Sequence, residues 1–392
     1  MKKVALVSPL RTAVGSFGGT LSTVSAPELG TTVIKACLKQ SNLGSSLIDK
    51  IYLGNVLQAG IGQNPARQAA LKAGIPIDVP ASTINTVCGS GLHAVALACD
   101  SILAEQGSII LAGGMESMSN APYLLRNARN GYRLGNGELI DSLVSDGLTC
   151  PINNYHMGIT AENVAEKYNV SRLEQDEFAY GSHMKAAEAK NKKVLKGQIV
   201  PVTVYKKKEE ICFSEDEHVK ADTTTEKLSG LRTVFKQDGT VTAGNASPIS
   251  DGAAAMLVVS EDKCREYDLK PLAYIKGYSL VGVDPAYMGI GPVKAVSSLL
   301  KKQGISLDEI DLFEINEAFA AQALAVYKEL GVNAEKVNVN GGAIAIGHPV
   351  GASGARILVT LVHEMKERSS HYGIASLCIG GGMGIAMLVE NT

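Results

Sequence analysis

Residues 87–92, VCGSGL, return at 350–355 as VGASGA, about 263 positions later. Each copy follows an extended segment and a bend, and each opens a helix. Leu92, Val95, Cys99 and Ile102 form one apolar stripe; Ile357, Leu358, Leu361, Val362 and Met365 form the other. Upstream, LIDKIYLGN (47–55) resembles EIDLFEIN (309–316), and downstream IILAGGM (109–115) resembles SLCIGGGM (376–383), at nearly the same offset. Such a repeat restricts the fold to two related halves, because equal patterns of apolar faces have to be buried in equal ways. KVALVSP, KIYLGNV, SIILAGG and AAMLVV read as strands in the first half, and LAYIKGY, DLFEIN, KVNVN, GIASLCI and IAMLVE in the second. Helical patterns lie between them, as at 318–330, stopped by Gly331. The expected fold is α/β: two similar layered α/β/α halves around a pseudo-two-fold axis, their loops converging on one site.

The copies differ in length. GGGMGIAMLVE (380–390) runs straight on, whereas GGM ends at Met115 and its continuation, GAAAMLVV, begins only at Gly252. Roughly 130 residues are therefore inserted into the first copy. The expected organisation is an N-terminal half over 1–118, an inserted loop domain over 119–249, residues 250–270 completing the first half, and a C-terminal half over 271–392. Inside the insertion, residues 171–190 open with a capping box, Ser171 to Glu174, and read as helix.

A net charge of −2 creates no field that would draw the chain to nucleic acid or to an anionic membrane. The basic run Lys206-Lys207-Lys208 is followed at once by Glu209 and Glu210 and reads as a solvated turn. The apolar run Ile374–Val389 is interrupted by glycines and is too short to span a bilayer. The N-terminus is too poor in apolar residues for a secretion signal. Seven scattered cysteines without a CxxC fit free thiols in a reducing cytoplasm, and no metal-ligand spacing occurs.

Cys88 stands at a glycine-rich strand-to-helix bend. A helix N-terminus favours thiolate over thiol, and Gly89 and Gly91 would let backbone approach a ligand, so the stretch reads as a nucleophile or, alternatively, as a small buried hydrophobe. Cys99 and Cys264 share none of this setting. His348, in NGGAIAIGHPVGASG (340–354), lies beside the repeat mate of the cysteine turn and is the candidate base. His93 reads as a satisfied core or rim group, and His363 and His371 as exposed. Cys378 ends a strand and enters IGGGMG, whose N–H groups can serve an oxyanion. Asn316, where a strand meets a helix, either positions a water or caps the helix.

With these residues in place, NTVCGSGLHAV, NVLQAGIGQNPARQAA, YHMGITAENVA, GTVTAGNAS, NEAFAAQ, GGAIAIGHPVGASGARI and LCIGGGMG together resemble the thiolase family along essentially the whole chain. The likeness is closest to short-chain biosynthetic thiolases, acetyl-CoA C-acetyltransferases. The resemblance implies that Cys88 accepts the acyl group, that His348 activates it and later helps hold the substrate oxygen, and that Cys378 moves an α-proton. It implies that Asn316 fixes a water and that the N–H groups of Cys88 and Gly380 form an oxyanion hole. His156 and Ser247, with Met157 and Met288 as apolar walls, match the pantetheine tunnel; Ala318 and Phe319 join the CoA-binding set. Lys220 departs from the arginine that related enzymes often carry near the adenine, and lysine lacks a planar stacking face. The implied substrates are acetyl-CoA and acetoacetyl-CoA, with no metal or other cofactor, and the implied assembly is a homotetramer, a dimer of dimers. A degradative 3-ketoacyl-CoA thiolase of broader chain length is the alternative. A decarboxylating β-ketoacyl synthase would replace Cys378 with histidine, and a silent acyl-CoA-binding relative would lose Cys88, His348 or Cys378; this chain keeps all three.

Overall fold

Strand β1 (Val4–Thr12) shows why the chain folds in layers: all nine residues are buried, so neither face meets water. Alternate residues enter different cores. Val4 and Leu6 belong to a central apolar cluster, Ala5 and Val7 to an outer one. The same two-sided burial recurs in β4 (Ile109–Ser117) and β5 (Ser250–Ser260). The computed structural model describes residues 2–206 and 209–392; Lys207 and Lys208 of the basic run fall outside them.

Among the described residues one eleven-stranded sheet dominates. With β2 (Lys50–Gly54), β3 (Ala81–Ile84), β6 (Pro271–Gly282), β7 (Leu312–Ile315), β8 (Tyr372–Ile379) and β9 (Met383–Asn391), its order is β7-β8-β9-β6-β1-β5-β4-β2-β3, and two short strands attach to β1 and β5. The repeat is visible in this order. β2, β4, β5 and β1 run inward on one side as β7, β8, β9 and β6 do on the other, with β3 added parallel outside β2, and the equivalent parallel pairs are β2–β4 and β7–β8. β1 and β6 pair antiparallel, Ala5 opposite Tyr274, as a two-fold between equivalent strands requires. The two half-sheets are thus one continuous sheet.

Helices α1 (Ala26–Ser41) and α2 (Pro65–Lys72) cover the outer face of the first half. Two further helices, α3 (Ser90–Leu103) and α8 (Val350–Arg368), fill the centre; Leu92, Val95, Ile102, Leu358 and Val362 are at most 1% exposed there. Each such side chain contributes about 1.5–3 kcal/mol by burial. α6 (Gly291–Gln303) covers the outer face of the second half. From the chain between β4 and β5, α4 (Met157–Tyr168) and α5 (Arg172–Asn191) pack on α7 (Ala320–Leu330). α5 opens with the Ser171–Glu174 capping box. A buried fork ties this region to the sheet: Arg11 donates to both oxygens of Asp216, at 2.7 and 2.9 Å. No helix among the described residues is long and apolar enough to cross a membrane.

One expected strand is missing. KVNVN (336–340) supplies a single parallel bridge, Phe313 to Val337. Asn338 turns to φ +46°, and its side chain takes over the ladder: Nδ2 donates to the Ile315 carbonyl (2.8 Å) while Oδ1 accepts the Ile315 N–H (2.9 Å).

Where α3 crosses α8, backbone touches backbone. A Cβ on Gly354 would lie 2.5 Å from Leu92 N, and one on Gly91 would lie 2.8 Å from Ala355 N. Gly354→Ala should therefore destabilise the fold by about 1–3 kcal/mol through overpacking. Gly181 sits inside α5, where an added methyl would meet nothing within 4 Å, so Gly181→Ala should stabilise by about 0.5–1 kcal/mol. Thermal unfolding midpoints should rank Gly181→Ala above the parent and the parent above Gly354→Ala; the reverse order for Gly354→Ala would refute the contact.

Candidate active site

The bend before α3 is held by its own side chains. Asn85 Oδ1 accepts the N–H of Val87 (3.0 Å), Thr86 N–H donates to Ser90 Oγ (2.8 Å), and Ser90 Oγ donates to the Val87 carbonyl (2.6 Å). These bonds hold Val87 at φ +44°, an unfavourable region for a β-branched residue. Cys88 follows, 9% exposed, one residue before the helix cap Gly89. It packs with Val56, Leu57, Met118, Leu143 and Val350. Val350 is two residues beyond His348, so the two repeated turns share one apolar cluster.

The glycines serve a purpose other than ligand approach. A Cβ on Gly89 would lie 2.5 Å from Ile379 Cδ1, and Gly91 faces α8. They let the turn sit against β8 and the central helices. The expectation of a preformed thiolate also fails. Burial pushes the Cys88 thiol up to about 11; the N–H groups of Gly380 and of Cys88 itself pull it down, and the Glu116 carboxylate raises it. Desolvation outweighs the helix terminus.

His348 is 7% exposed. It follows Gly347, whose φ of +121° is closed to other residues, and its N–H donates to Ser250 Oγ (3.1 Å). Nδ1 is hydrogen-bonded to Ser353 Oγ, and Nε2 lies 3.5 Å from Asn316 Nδ2. Burial, with the Arg356 guanidinium adding to it, pushes the imidazole down to about 3, so it is neutral. Asn316 does not cap α7, whose cap is Phe319. Its Oδ1 is buried without a partner among the described residues, leaving an acceptor beside the imidazole.

Cys378, at the end of β8, is fully buried, and burial raises its thiol, with Cys88 as a further, electrostatic cause. It lies in one apolar cluster with Met288, Ala318, Phe319 and Ala161, against which Met157 and Phe235 pack. The loop after β8 returns to the first turn: a Cβ on Gly380 would lie 3.3 Å from Val87 Cγ1 and 3.5 Å from Met157 Cε. His156 caps α4, its Nδ1 accepting the Gly158 N–H (3.0 Å), and stacks on Phe235 with ring centroids 4.6 Å apart. Phe235 meets Phe319 edge-on. Ser247 N–H donates to the Ala318 carbonyl (3.0 Å). Lys220 stands apart, exposed, its N–H donating to His183 Nδ1 (3.2 Å).

Among the other histidines, His93 is satisfied by Thr86 Oγ1 (2.7 Å) and His371 is exposed, but His363 is not: it is half-buried, with Nε2 donating to the Pro9 carbonyl (2.9 Å). Sequence reasoning passed over Ser353, Phe235 and Glu116. Glu116 is fully buried and accepts from Asn55 Nδ2 and from the N–H groups of Val56, Leu57 and Gly351 at 2.7–3.2 Å, while burial pushes it up to about 7. Ser353 was open to discovery, since it is the repeat mate of Ser90.

Two buried thiols, the second raised by the first, a neutral imidazole and N–H groups aimed at sulfur suit acyl transfer through a thioester. The profile described as "Thiolase, N-terminal domain" matches residues 4–262, and "Thiolase, C-terminal domain" matches residues 269–391. The chain belongs to the thiolase family. It is 56% identical to an acetyl-CoA acetyltransferase of Chromobacterium violaceum over 99% of both chains. The crystal structure of the Bacillus anthracis acetyl-CoA acetyltransferase superposes with a TM-score of 0.98 at 46% identity, covering 100% of this chain and 99% of that one. Human mitochondrial 3-ketoacyl-CoA thiolase gives 0.97 at 44% identity with the same coverage.

With Cys88 pushed up to about 11, its thiolate fraction rises about tenfold per pH unit through neutrality. Alkylation of Cys88 by iodoacetamide, mapped by mass spectrometry, should therefore climb steadily from about pH 6 to about pH 9. A flat rate over that range would reveal a thiolate–imidazolium pair. Exposed Cys212 should be modified first by a bulky reagent.

Proposed function

We propose that this chain is an acyltransferase that condenses two acetyl-CoA into acetoacetyl-CoA and CoA, reversibly, through an acetyl-Cys88 intermediate. The observation that carries the reading is the placing of Cys378, buried within electrostatic reach of Cys88 in a methionine-walled cluster, in a chain whose second repeated turn supplies a neutral histidine, His348. The naming of the Chromobacterium and Bacillus relatives supports it.

In the first half-reaction His348 Nε2 takes the Cys88 proton as sulfur attacks the thioester carbonyl. The oxyanion accepts N–H bonds from Cys88 and Gly380, the carbon–sulfur bond to CoA breaks, and Cys378 protonates the departing thiolate. Cys378 is then a thiolate. In the second, it removes an α-proton from the next acetyl-CoA, while His348 and a water held by Asn316 support the enolate oxygen. The carbon attacks acetyl-Cys88, the new carbon–carbon bond forms, and the Cys88 sulfur leaves and regains its proton. Acid–base groups and N–H donors of the chain carry every step, so the reading calls for no metal or organic cofactor.

Residues 119–249 form the CoA-binding insert in this reading, with His156, Met157, Ser247, Met288, Ala318 and Phe319 along the pantetheine and Lys220 reaching the adenine end from the surface. A homotetramer in the cytoplasm completes it; exposed Leu134, Leu139 and Ile152 of that insert support association. Light scattering should give four times the chain mass.

The likeness to human 3-ketoacyl-CoA thiolase favours a second reading with longer substrates. Thiolysis rates separate the two. Met157 and Met288 close the acyl end, so the rate should fall steeply beyond C4; equal rates with C4 and C10 3-ketoacyl-CoA would establish the broader enzyme.

Cys378→Ser tests the division of labour. Serine is a far weaker base at neutral pH, so α-hydrogen exchange into deuterated water and acetoacetyl-CoA synthesis should drop by at least about 100-fold. Acetylation of Cys88 by acetyl-CoA should persist, slowed by poorer protonation of the leaving CoA. Exchange at the wild-type rate would move the carbon base to His348 or to a water.

A further inference from the structure

The duplicated turn carries the same serine twice, with different partners. In the first half Ser90 Oγ accepts from the N–H of Thr86 at 2.8 Å and donates to the Val87 carbonyl at 2.6 Å. At the repeat offset Ser353 takes the place of Ser90, and Pro349 that of Thr86. Ser353 Oγ donates to the Pro349 carbonyl at 2.9 Å. Proline has no N–H, so the acceptor site that Thr86 fills in the first half has no backbone claimant in the second. His348 Nδ1 fills it. A hydroxyl has one proton; with that proton on the Pro349 carbonyl, this bond runs from Nδ1–H to Oγ. The opposite nitrogen agrees: Nε2 faces an amide donor, Asn316 Nδ2, which calls for a lone pair. Ser353 is fully buried and held within the first turn of α8, so the acceptor is rigid.

We propose that Ser353 is a positioning residue that locks His348 in its Nδ1–H tautomer and so presents an unprotonated Nε2 to the Cys88 thiol, and that Pro349 makes this possible by leaving the serine's acceptor free. The proposal deepens the thiolase reading above, and rests on it for His348 being the base. It also explains a cost. The equivalent proton acceptor in the first half stabilises a bend; in the second it has been diverted to a side chain.

The test uses protein labelled with ¹⁵N-histidine, the His348 signals being identified by their loss in His348→Gln. In the resting wild type they should report one tautomer, with Nδ1 protonated and Nε2 bare. Ser353→Ala should show both tautomers, and its kcat for acetoacetyl-CoA cleavage should fall about 10- to 100-fold with KM within about twofold. Pro349→Ala keeps the serine but restores a competing N–H; it should show the same mixing and a smaller fall in kcat, and it carries the test if Ser353→Ala does not fold. A single Nδ1–H tautomer in a folded Ser353→Ala or Pro349→Ala, or wild-type kcat in Ser353→Ala, overturns the proposal. A wild-type protein that fails to cleave acetoacetyl-CoA would overturn the thiolase reading instead and leave the spectroscopic arm standing.

Discussion

The contact between the N-terminal turns of α3 and α8 decides where everything else lies. Four chain segments approach there without side chains between them: a Cβ on Gly54 or Gly114 would strike the Gly351 carbonyl at 2.5 or 2.1 Å, and Gly91 and Gly354 face the opposite helix. This closeness brings the end of one repeat's bend against the end of the other's. Cys88 enters from the first half and His348 from the second, and neither half alone could build the pair. The sheet reinforces the arrangement, since β1 and β6 pair across the same axis and leave no seam along which the halves could slide.

Burial then sets the electrical character of the pair. Removing water from a thiol and from an imidazole drives both toward their neutral forms, the first upward and the second downward. The resting site therefore holds no separated charge. In the mechanism proposed above, charge develops only as sulfur attacks, and the N–H groups of Gly380 and Cys88 meet it when it does. A site with a ready thiolate would be attacked by any electrophile that entered. In the proposed mechanism reactivity depends on a proton transfer to a correctly oriented Nε2, which ties the chemistry to the geometry around His348.

The sequence displayed the large features because they are periodic. The offset repeat found the equivalent strands, β1, β4 and β5 lie where KVALVSP, SIILAGG and AAMLVV read as strands, and the apolar stripes on α3 and α8 lie in the central core as their spacing required. Features that depend on one side chain replacing backbone were invisible. KVNVN scans as a strand, yet Asn338 bonds to Ile315 through its amide and ends the ladder after one bridge. His363 looked exposed because nothing in the sequence announces that the Pro9 carbonyl waits for it. The ionisation of Cys88 escapes the sequence for a similar reason: helix position can be read from spacing, but the depth of desolvation depends on residues as distant as Val350 and Leu143.

A duplicated fold should offer two sites, and the structure shows why only one is furnished. At the repeat offset Cys88 corresponds to Gly351, which has no sulfur, and at the slightly shorter offset of the preceding strand Asn316 corresponds to Asn55. In the twin position the Gly351 N–H, counterpart of the Cys88 N–H, donates to Glu116 at 2.8 Å, and Asn55 Nδ2 donates to the same carboxyl at 2.7 Å. Donors that face a reacting centre on one side of the axis are thus consumed by a buried side chain on the other. Leaving them unpaired would cost about 1–3 kcal/mol each. Glu116 removes that cost and closes the twin. The same carboxylate raises the Cys88 thiol across the axis, so the group that pairs off the donors of one copy also helps keep the thiol of the other neutral.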